Sequence, residues 1–219
     1  MVGTRRLNQL TESVKEAADF PPPPFVVALS GGADSAACAW IAALLGPTRA
    51  IHVHHGLAAS DLMAAAARSV AHALGIEVDV VHIEVVPWSE GRARKLRYEA
   101  LLGGLVEGEW VLTGHTADDQ AETVFANLLR GAGVEGLTGI PSRRPPLARP
   151  LLGVDRSTTR ELATLASLKW TDDPTNLDLG PLRNRLRLRL LPQMEAEYNL
   201  SFRQHLVDVA ATLSTLDQG

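Results

Sequence analysis

Apolar runs and helix-like stretches alternate about four times through the first two thirds of the chain. The apolar runs are continuous instead of alternating with polar residues, which is typical of strands that are covered on both faces of a parallel sheet. The predicted strands are 25–29, 49–53, 77–86 and 110–113. The predicted helices that follow them are 34–45, 60–74, 89–106 and 117–130. This alternation predicts an α/β fold with a doubly wound parallel sheet.

The two ends of the chain lack this alternation. Residues 5–19 are predicted to form a helix that ends at prolines 21–24, because proline cannot continue a helix. Residues 132–150 are rich in Gly, Pro and Arg and predict a long loop. From about residue 155 the pattern predicts helices, over 155–168 and 182–217, with turn chemistry between them. We therefore predict three segments, an N-terminal helix with a proline linker, an α/β domain and a C-terminal helical extension: 1–24, 25–152 and 153–219.

Composition narrows the class of protein. The 219 residues carry a net charge of −4, and no run approaches the roughly 18 apolar residues of a membrane span. The N-terminal residues lack the pattern of a secretory signal. The single Cys38 excludes an intramolecular disulfide and a CxxC redox pair. We expect a cytoplasmic protein with no membrane partner.

The break after the first predicted strand has the chemistry of a phosphate-binding turn. The segment SGGADS begins at Ser30 and leads into a helix that starts near Asp34. Glycines let backbone N–H groups approach an anion, and a helix start adds unpaired N–H groups and the positive end of its dipole. The Walker and dinucleotide fingerprints do not match, because no lysine follows the glycines and the two glycines are adjacent. An ordinary helix N-cap is the alternative, and the complete six-residue segment makes it the weaker interpretation.

These six residues match SGGxDS, and in this the chain resembles the PP-loop ATP pyrophosphatases. Further motifs follow in order and resemble one branch of that family, the tRNA(Ile)-lysidine synthases. They are HVHHGL at 52–57, ARKLRY at 93–98, TGHTADDQAET at 113–123, RGAGVEGLTGI at 130–140, RPLL at 149–152 and DPTNLD…RNRLR at 173–187. Thr116 stands where the family usually has a second His, and Ala58 stands where it has an Arg. The resemblance implies a Rossmann-like sheet of the adenine nucleotide alpha hydrolase type.

The resemblance also implies a two-step ligation that uses ATP and Mg²⁺. ATP adenylates the carbonyl oxygen on carbon 2 of the wobble cytidine, in isoleucine tRNA with a CAU anticodon, and pyrophosphate leaves. The amine of free lysine then attacks that carbon and expels AMP, and the product is lysidine. The family allows a homodimer. The implied nucleotide-binding residues are Ser30, Gly31, Gly32, Ala33, Asp34, Ser35 and His54.

Four side chains are the candidate catalytic residues. Asp34 follows one strand of the predicted sheet and Asp118 and Asp119 follow another, so Asp34 and either of these two could share a Mg²⁺ ion. The resemblance favours Asp119, although acids in a first helical turn are also favoured by the helix dipole alone. His115 could orient a phosphate or donate a hydrogen bond to the activated carbonyl. Arg97 lies in the ARKLRY motif, and its planar guanidinium group suits the charge of an adenylate. The alternative for Arg97 is a solvated basic helix face.

The basic segment RNRLRLRL, at 183–190, has two interpretations. As a helix it could pack through its leucines and leave its arginines in solvent. It could also contact tRNA phosphates, which supply most of the non-specific affinity for nucleic acid. The family match favours a role at the rim of the active site or in tRNA contact, and we predict tRNA contact by Arg183, Arg185 and Arg187.

Two other functions stay open at this point. Another PP-loop enzyme, a tRNA thiolase or an amidating synthetase, would usually need paired cysteines or a glutaminase. A nucleotide-binding module without catalysis would not need the four candidate catalytic residues. Many members of the family continue into C-terminal domains that grip tRNA, so we expect a minimal member, a fragment or half of a larger arrangement.

Overall fold

The centre of the protein is a six-stranded sheet. The computed structural model describes residues 2–216. In chain order the strands are β1 (Phe25–Ala28), β2 (Thr48–His54), β3 (Val78–His82), β4 (Trp110–Leu112), β5 (Arg143–Arg144) and β6 (Leu147–Ala148). Their order across the sheet is β3-β2-β1-β4-β6-β5, and neighbours pair in parallel except β5 with β6. The chain leaves β1 toward one side and returns on its other side, which opens a crevice at the carboxyl end of β1.

Helices surround this sheet. They are α1 (Val2–Ala17), α2 (Ala33–Leu45), α3 (Ser60–Leu74), α4 (Glu90–Gly103), α5 (Ala117–Leu129), α6 (Val134–Leu137), α7 (Arg156–Leu165), α8 (Leu182–Arg185), α9 (Leu191–Glu197) and α10 (Phe202–Leu216). A 3₁₀ turn spans Pro174–Leu177 and a π-helical turn spans Leu186–Leu190. None of the described helices is both long and apolar enough to cross a membrane.

Alternate residues of the central strand pack into different hydrophobic clusters. Phe25 and Val27 join a cluster with residues of α1, α2, α3 and α7, whereas Val26 joins a second cluster with Leu101 of α4. Successive side chains of a strand point to opposite faces of the sheet, so helices cover both faces. This confirms the predicted doubly wound α/β fold.

The helices at the two ends of the chain are tied to the α/β core. Leu10 of α1 and Leu162 of α7 lie in the same cluster as Phe25. A third cluster joins α5 to α9 and α10 through Phe125, Leu191 and Leu206, among others. The boundaries of the three predicted segments stay a prediction.

Three predicted elements differ from those observed. The predicted loop over 132–150 contains α6, β5 and β6, and strands of two residues are too short to show a period. The predicted strand over 77–86 ends at His82. The predicted helix over 182–217 is divided by the π turn and by a break after Glu197, where Asn199 accepts a hydrogen bond from the Ser201 amide (2.9 Å). Such local bonds compete with a helix. Residue 217 lies outside the described residues.

Candidate active site

The segment after β1 folds into a turn that its own hydroxyl groups hold together, called here the PP turn (residues 30–35). Ser35 donates to the carbonyl oxygen of Gly32 (2.9 Å), and its Oγ lies 2.9 Å from Ser30 Oγ. The Ser30 amide donates to Ser35 Oγ (3.2 Å), and the Gly32 amide donates to Ser30 Oγ (3.3 Å). The N-cap of α2 is Gly32, which supplies no side chain to the first amides of the helix. Those amides are therefore available to an anion.

Two glycines let α3 and the loop after β4 approach the PP turn closely. Gly31 has a φ of +96°, and a Cβ atom there would lie 2.4 Å from the carbonyl oxygen of Met63 in α3. A Cβ atom on Gly114, in the loop after β4, would lie 2.8 Å from the carbonyl group of Asp34. Real Cβ atoms do not come this close to backbone atoms. The loop that leads from β4 to the acidic first turn of α5 can lie directly against the PP turn because residue 114 is a glycine.

Asp34 and Asp119 converge, and a guanidinium group joins them. Arg156, the first residue of α7, has Nε 3.4 Å from Asp34 Oδ2 and Nη2 2.9 Å from Asp119 Oδ1. The Thr159 hydroxyl also donates to Asp34. Burial raises the pKa of Asp34 despite these two bonds. Burial also opposes ionisation of Asp119, but the charges of Arg156 and Arg183 lower its pKa to about 2.

Both carboxylate oxygens of Asp119 already have hydrogen-bond partners in this arrangement. Oδ1 of Asp119 accepts from Arg156 and from Arg183 (2.7 Å), and Oδ2 accepts from the Thr116 amide and hydroxyl (2.9 and 3.0 Å). A Mg²⁺ ion needs its oxygen ligands at about 2.1 Å, so it would have to displace Arg156. No group of three or more His, Cys, Asp and Glu side chains is placed to hold a metal within residues 2–216. The shared Mg²⁺ site stays a prediction.

Glu122 is the centre of an ion-pair network next to these two acids. Its side chain is 1% exposed and accepts hydrogen bonds from Arg156 (3.1 Å), Arg183 (2.8 Å) and Arg187 (2.7 and 2.8 Å). Burial opposes its ionisation, but hydrogen bonding and charge from Arg187 lower the pKa of Glu122. Three guanidinium groups thus face three carboxylates, those of Asp34, Asp119 and Glu122. The charges of the network therefore balance.

His115 and Arg97 lie near enough to this network for its charges to change their pKa values. The Thr113 hydroxyl is 2.7 Å from His115 Nδ1. Burial lowers the pKa of His115 to about 4, and the charges of Arg97 and Arg183 act in the same direction. Burial also lowers the pKa of Arg97, whose guanidinium group lies 5.5 Å from the ring centroid of Tyr98. At neutral pH His115 is therefore uncharged, while the guanidinium group keeps its charge.

His54, at the end of β2, is engaged with the turn that follows this strand. Its Nε2 lies 3.1 Å from Asp61 Oδ1, its Nδ1 accepts from the Gly56 amide (3.3 Å), and its ring centroid lies 4.4 Å from that of His82. The contact with Asp61 joins the end of β2 to the start of α3, which touches the PP turn at Gly31. A nucleotide contact by His54 stays a prediction.

The arginines after residue 182 contact two different parts of the protein, the acidic residues of the network and a neighbouring loop. Arg183 and Arg187 reach Glu122, whereas Arg185 donates to the carbonyl oxygen of Leu179 (3.2 Å). Contact between tRNA and these three arginines stays a prediction. For Arg183 and Arg187, a contact with phosphate would compete with the ion pairs.

Sequence reasoning missed three residues of this site: Glu122, Arg156 and Thr159. Glu122 lies three positions after Asp119, so helical spacing alone would have placed both carboxylates on one face of α5. Arg156 and Thr159 lie 122 and 125 positions after Asp34 in the chain. No local pattern marks them as partners of that residue.

The sequence pattern of the PP-loop domain matches residues 3–194. The chain belongs to the PP-loop family. The structure of this PP-loop protein is similar to that of a U34-tRNA thiolase from Methanococcus maripaludis, solved with its [4Fe-4S] cluster. The TM-score is 0.73 at 19% identity, over 94% of this chain and 79% of the thiolase chain. At this identity the likeness shows a shared fold.

Curated relatives of this PP-loop protein carry the name tRNA(Ile)-lysidine synthase. The relative from Pseudomonas putida is 38% identical over 189 residues, which cover 80% of this chain and 44% of the relative. The relative from Pseudomonas syringae is 43% identical over 179 residues, covering 76% and 40%. The relative from Mycolicibacterium paratuberculosis is 44% identical over 173 residues, covering 77% and 53%. The chain therefore spans about half the length of these relatives, or less.

Proposed function

We propose that this PP-loop protein is a tRNA(Ile)-lysidine synthase, which ligates free lysine to carbon 2 of the wobble cytidine in isoleucine tRNA with a CAU anticodon. The identity of 38 to 44% to relatives of that name supports the substrate. The observation that carries the chemistry is the close packing of the PP turn against the Gly114 loop. That packing brings a phosphate-binding turn to the start of α5, where His115 and Asp119 lie.

In the first step the carbonyl oxygen on carbon 2 attacks the α phosphorus of ATP, and pyrophosphate leaves. The PP turn supplies backbone N–H groups to the departing pyrophosphate. Arg97 supplies a fixed positive charge, which stabilises the charge that develops on the phosphoryl oxygens. In the second step the lysine amine attacks carbon 2 and loses a proton, and AMP leaves with the original oxygen.

The neutral imidazole of His115 suits a hydrogen-bond donor. If Nδ1 accepts from the Thr113 hydroxyl, the hydrogen of the ring is on Nε2. With a pKa of about 4, the ring keeps this form at neutral pH. We assign it the role of orienting the carbonyl oxygen or a phosphate oxygen during adenylation.

The state of Cys38 favours ligation over thiolation. This is the one cysteine of the chain, it is buried in the core, and burial raises its pKa to about 12. The thiolate is the reactive form of cysteine, so Cys38 is unsuited to sulfur transfer.

ATP use follows from the family, and Mg²⁺ as its companion ion is part of the proposal. Asp34 is the more accessible of the two predicted ligands, with 26% of its side chain exposed compared with 12% for Asp119. The proposal also includes a cytoplasmic location, because tRNA is the substrate. A homodimer stays an expectation.

The test is incorporation of labelled lysine into isoleucine tRNA with a CAU anticodon, with ATP and Mg²⁺ present. We expect lysine incorporation and release of pyrophosphate. Asp34→Ala should abolish both, and the exposed Asp208→Ala on α10 is the matched control that should retain them. Tight ATP binding without any lysine incorporation would contradict the proposal. Undiminished turnover in Asp34→Ala would contradict the role of Asp34.

A further inference from the structure

Arg156 lies where a metal ion shared by the two predicted ligands would have to lie. Its Nε and Nη2 approach Asp34 and Asp119, and its Nη1 lies 3.1 Å from Glu122. Arg183 also contacts Asp119 and Glu122. Among residues 2–216, however, Arg156 is the cation whose ion pairs include both Asp34 and Asp119. One side chain thus compensates the charge of both predicted ligands.

The backbone of Arg156 is held independently of its side chain. The Arg156 amide donates to Asp118 Oδ2 (2.8 Å) at the start of α7. The side chain is 16% exposed, and its contact with Asp34, at 3.4 Å, is the longest of its three ion pairs. The guanidinium group can therefore leave Asp34 by side-chain rotation, while the start of α7 stays attached to α5.

We propose that Arg156 is the resident counter-ion of Asp34 and Asp119 in the nucleotide-free protein, and that a divalent cation binds these acids only by exchange with its guanidinium group. The inference rests on the proposed function, because a reaction of ATP is what brings a divalent cation to this site. It concerns cation affinity in the absence of nucleotide, so it is tested without turnover.

Charge balance explains why the exchange is coupled to nucleotide. Three guanidinium groups already neutralise the three carboxylates of the network, so a divalent cation alone would add two uncompensated positive charges. The phosphates of ATP supply negative charge that can hold both the cation and the displaced guanidinium group. Coupling of this kind is reciprocal, so the nucleotide and the divalent cation strengthen each other's binding.

The experiment measures Mn²⁺ binding to the nucleotide-free protein, with free Mn²⁺ read from its electron paramagnetic resonance signal. Arg156→Gln leaves one carboxylate of the network without its counter-ion, so we expect it to bind Mn²⁺ at least about tenfold more tightly than the wild type. Arg160→Gln, one turn later on α7, removes an arginine whose partner is Asp172, and should bind Mn²⁺ as the wild type does. Equal Mn²⁺ affinity in Arg156→Gln and the wild type would overturn the proposal.

A second set of variants shows where the additional Mn²⁺ binding occurs. It also provides a test that does not depend on the folding of Arg156→Gln. Adding Asp34→Asn to Arg156→Gln should remove the increase in Mn²⁺ affinity, and an increase that persists would show that the ion binds elsewhere. Arg156→Lys keeps a charge but cannot span three carboxylates, so its Mn²⁺ affinity should fall between those of the wild type and Arg156→Gln. If Arg156→Gln does not fold without metal, the comparison rests on Arg156→Lys. Equal Mn²⁺ affinity of Arg156→Lys and the wild type would then overturn the proposal. Lysine incorporation by the wild type is measured separately, so failure of the proposed function is distinguishable from failure of this exchange.

Discussion

Glu122→Gln removes one charge from the middle of the ion-pair network with almost no change in volume. The carboxylate accepts four hydrogen bonds of 2.7 to 3.1 Å from three arginines. The amide nitrogen of Gln cannot accept hydrogen bonds, so some of these donors would lose their acceptor. Breaking a buried ion pair by removing one partner costs about 3–5 kcal/mol. The arginine side chains are 16, 36 and 23% exposed, so water compensates part of this cost. We expect the free energy of unfolding to fall by about 2–4 kcal/mol.

Urea unfolding followed by tryptophan fluorescence measures this loss, with the midpoint lowered at an unchanged slope. The control is Glu161→Gln, because Glu161 is 44% exposed and pairs with Arg6 at 2.9 Å. We expect the control to lose much less stability than Glu122→Gln, because exposed ion pairs contribute little. The carboxylate has a lowered pKa, so its stabilising charge is present above the ordinary value of 4.5 and is lost as the pH falls further. The difference in the free energy of unfolding between the wild type and Glu122→Gln should therefore become smaller at acidic pH. A Glu122→Gln protein as stable as Glu161→Gln would refute the reasoning.

Two further predictions concern a close contact and a buried histidine. Gly31→Ala should unfold at a lower temperature than Gly108→Ala: both glycines have positive φ (+96° and +87°), but only at Gly31 would a Cβ atom meet a backbone oxygen, at 2.4 Å. Thermal unfolding by circular dichroism compares them, and equal losses would contradict the contact argument. His115→Asn should flatten the pH dependence of stability between about pH 4 and 6.5, because burial lowers the pKa of His115 from 6.5 to about 4. In that window the unfolded chain binds a proton that the folded protein does not, so wild-type stability rises with pH by about 1.4 kcal/mol per unit at most. An unchanged slope in the variant's urea midpoints would assign the effect to another group.

Features that depend on residues close together along the chain could be predicted from the sequence. The continuous apolar strands predicted burial on both faces, and Val26 and Val27 do lie in different clusters. The PP turn was recognisable because its serines, glycines and acid are contiguous. The two short strands β5 and β6 were missed, since two residues in a loop rich in Pro and Arg carry no detectable period.

The sequence alone determined the fold class, the PP turn and the motifs of the family, because each depends on residues that are close along the chain. The tertiary structure decided which charges meet. Arg156 approaches Asp34 across 122 positions of sequence, and Glu122 gains three guanidinium partners from α7, α8 and the π turn. An ion pair depends on the distance and direction of two side chains in space, and residue type does not encode either. The sequence could therefore indicate that Asp34 and Asp119 belong to one site, but only the fold shows that Arg156 lies between them.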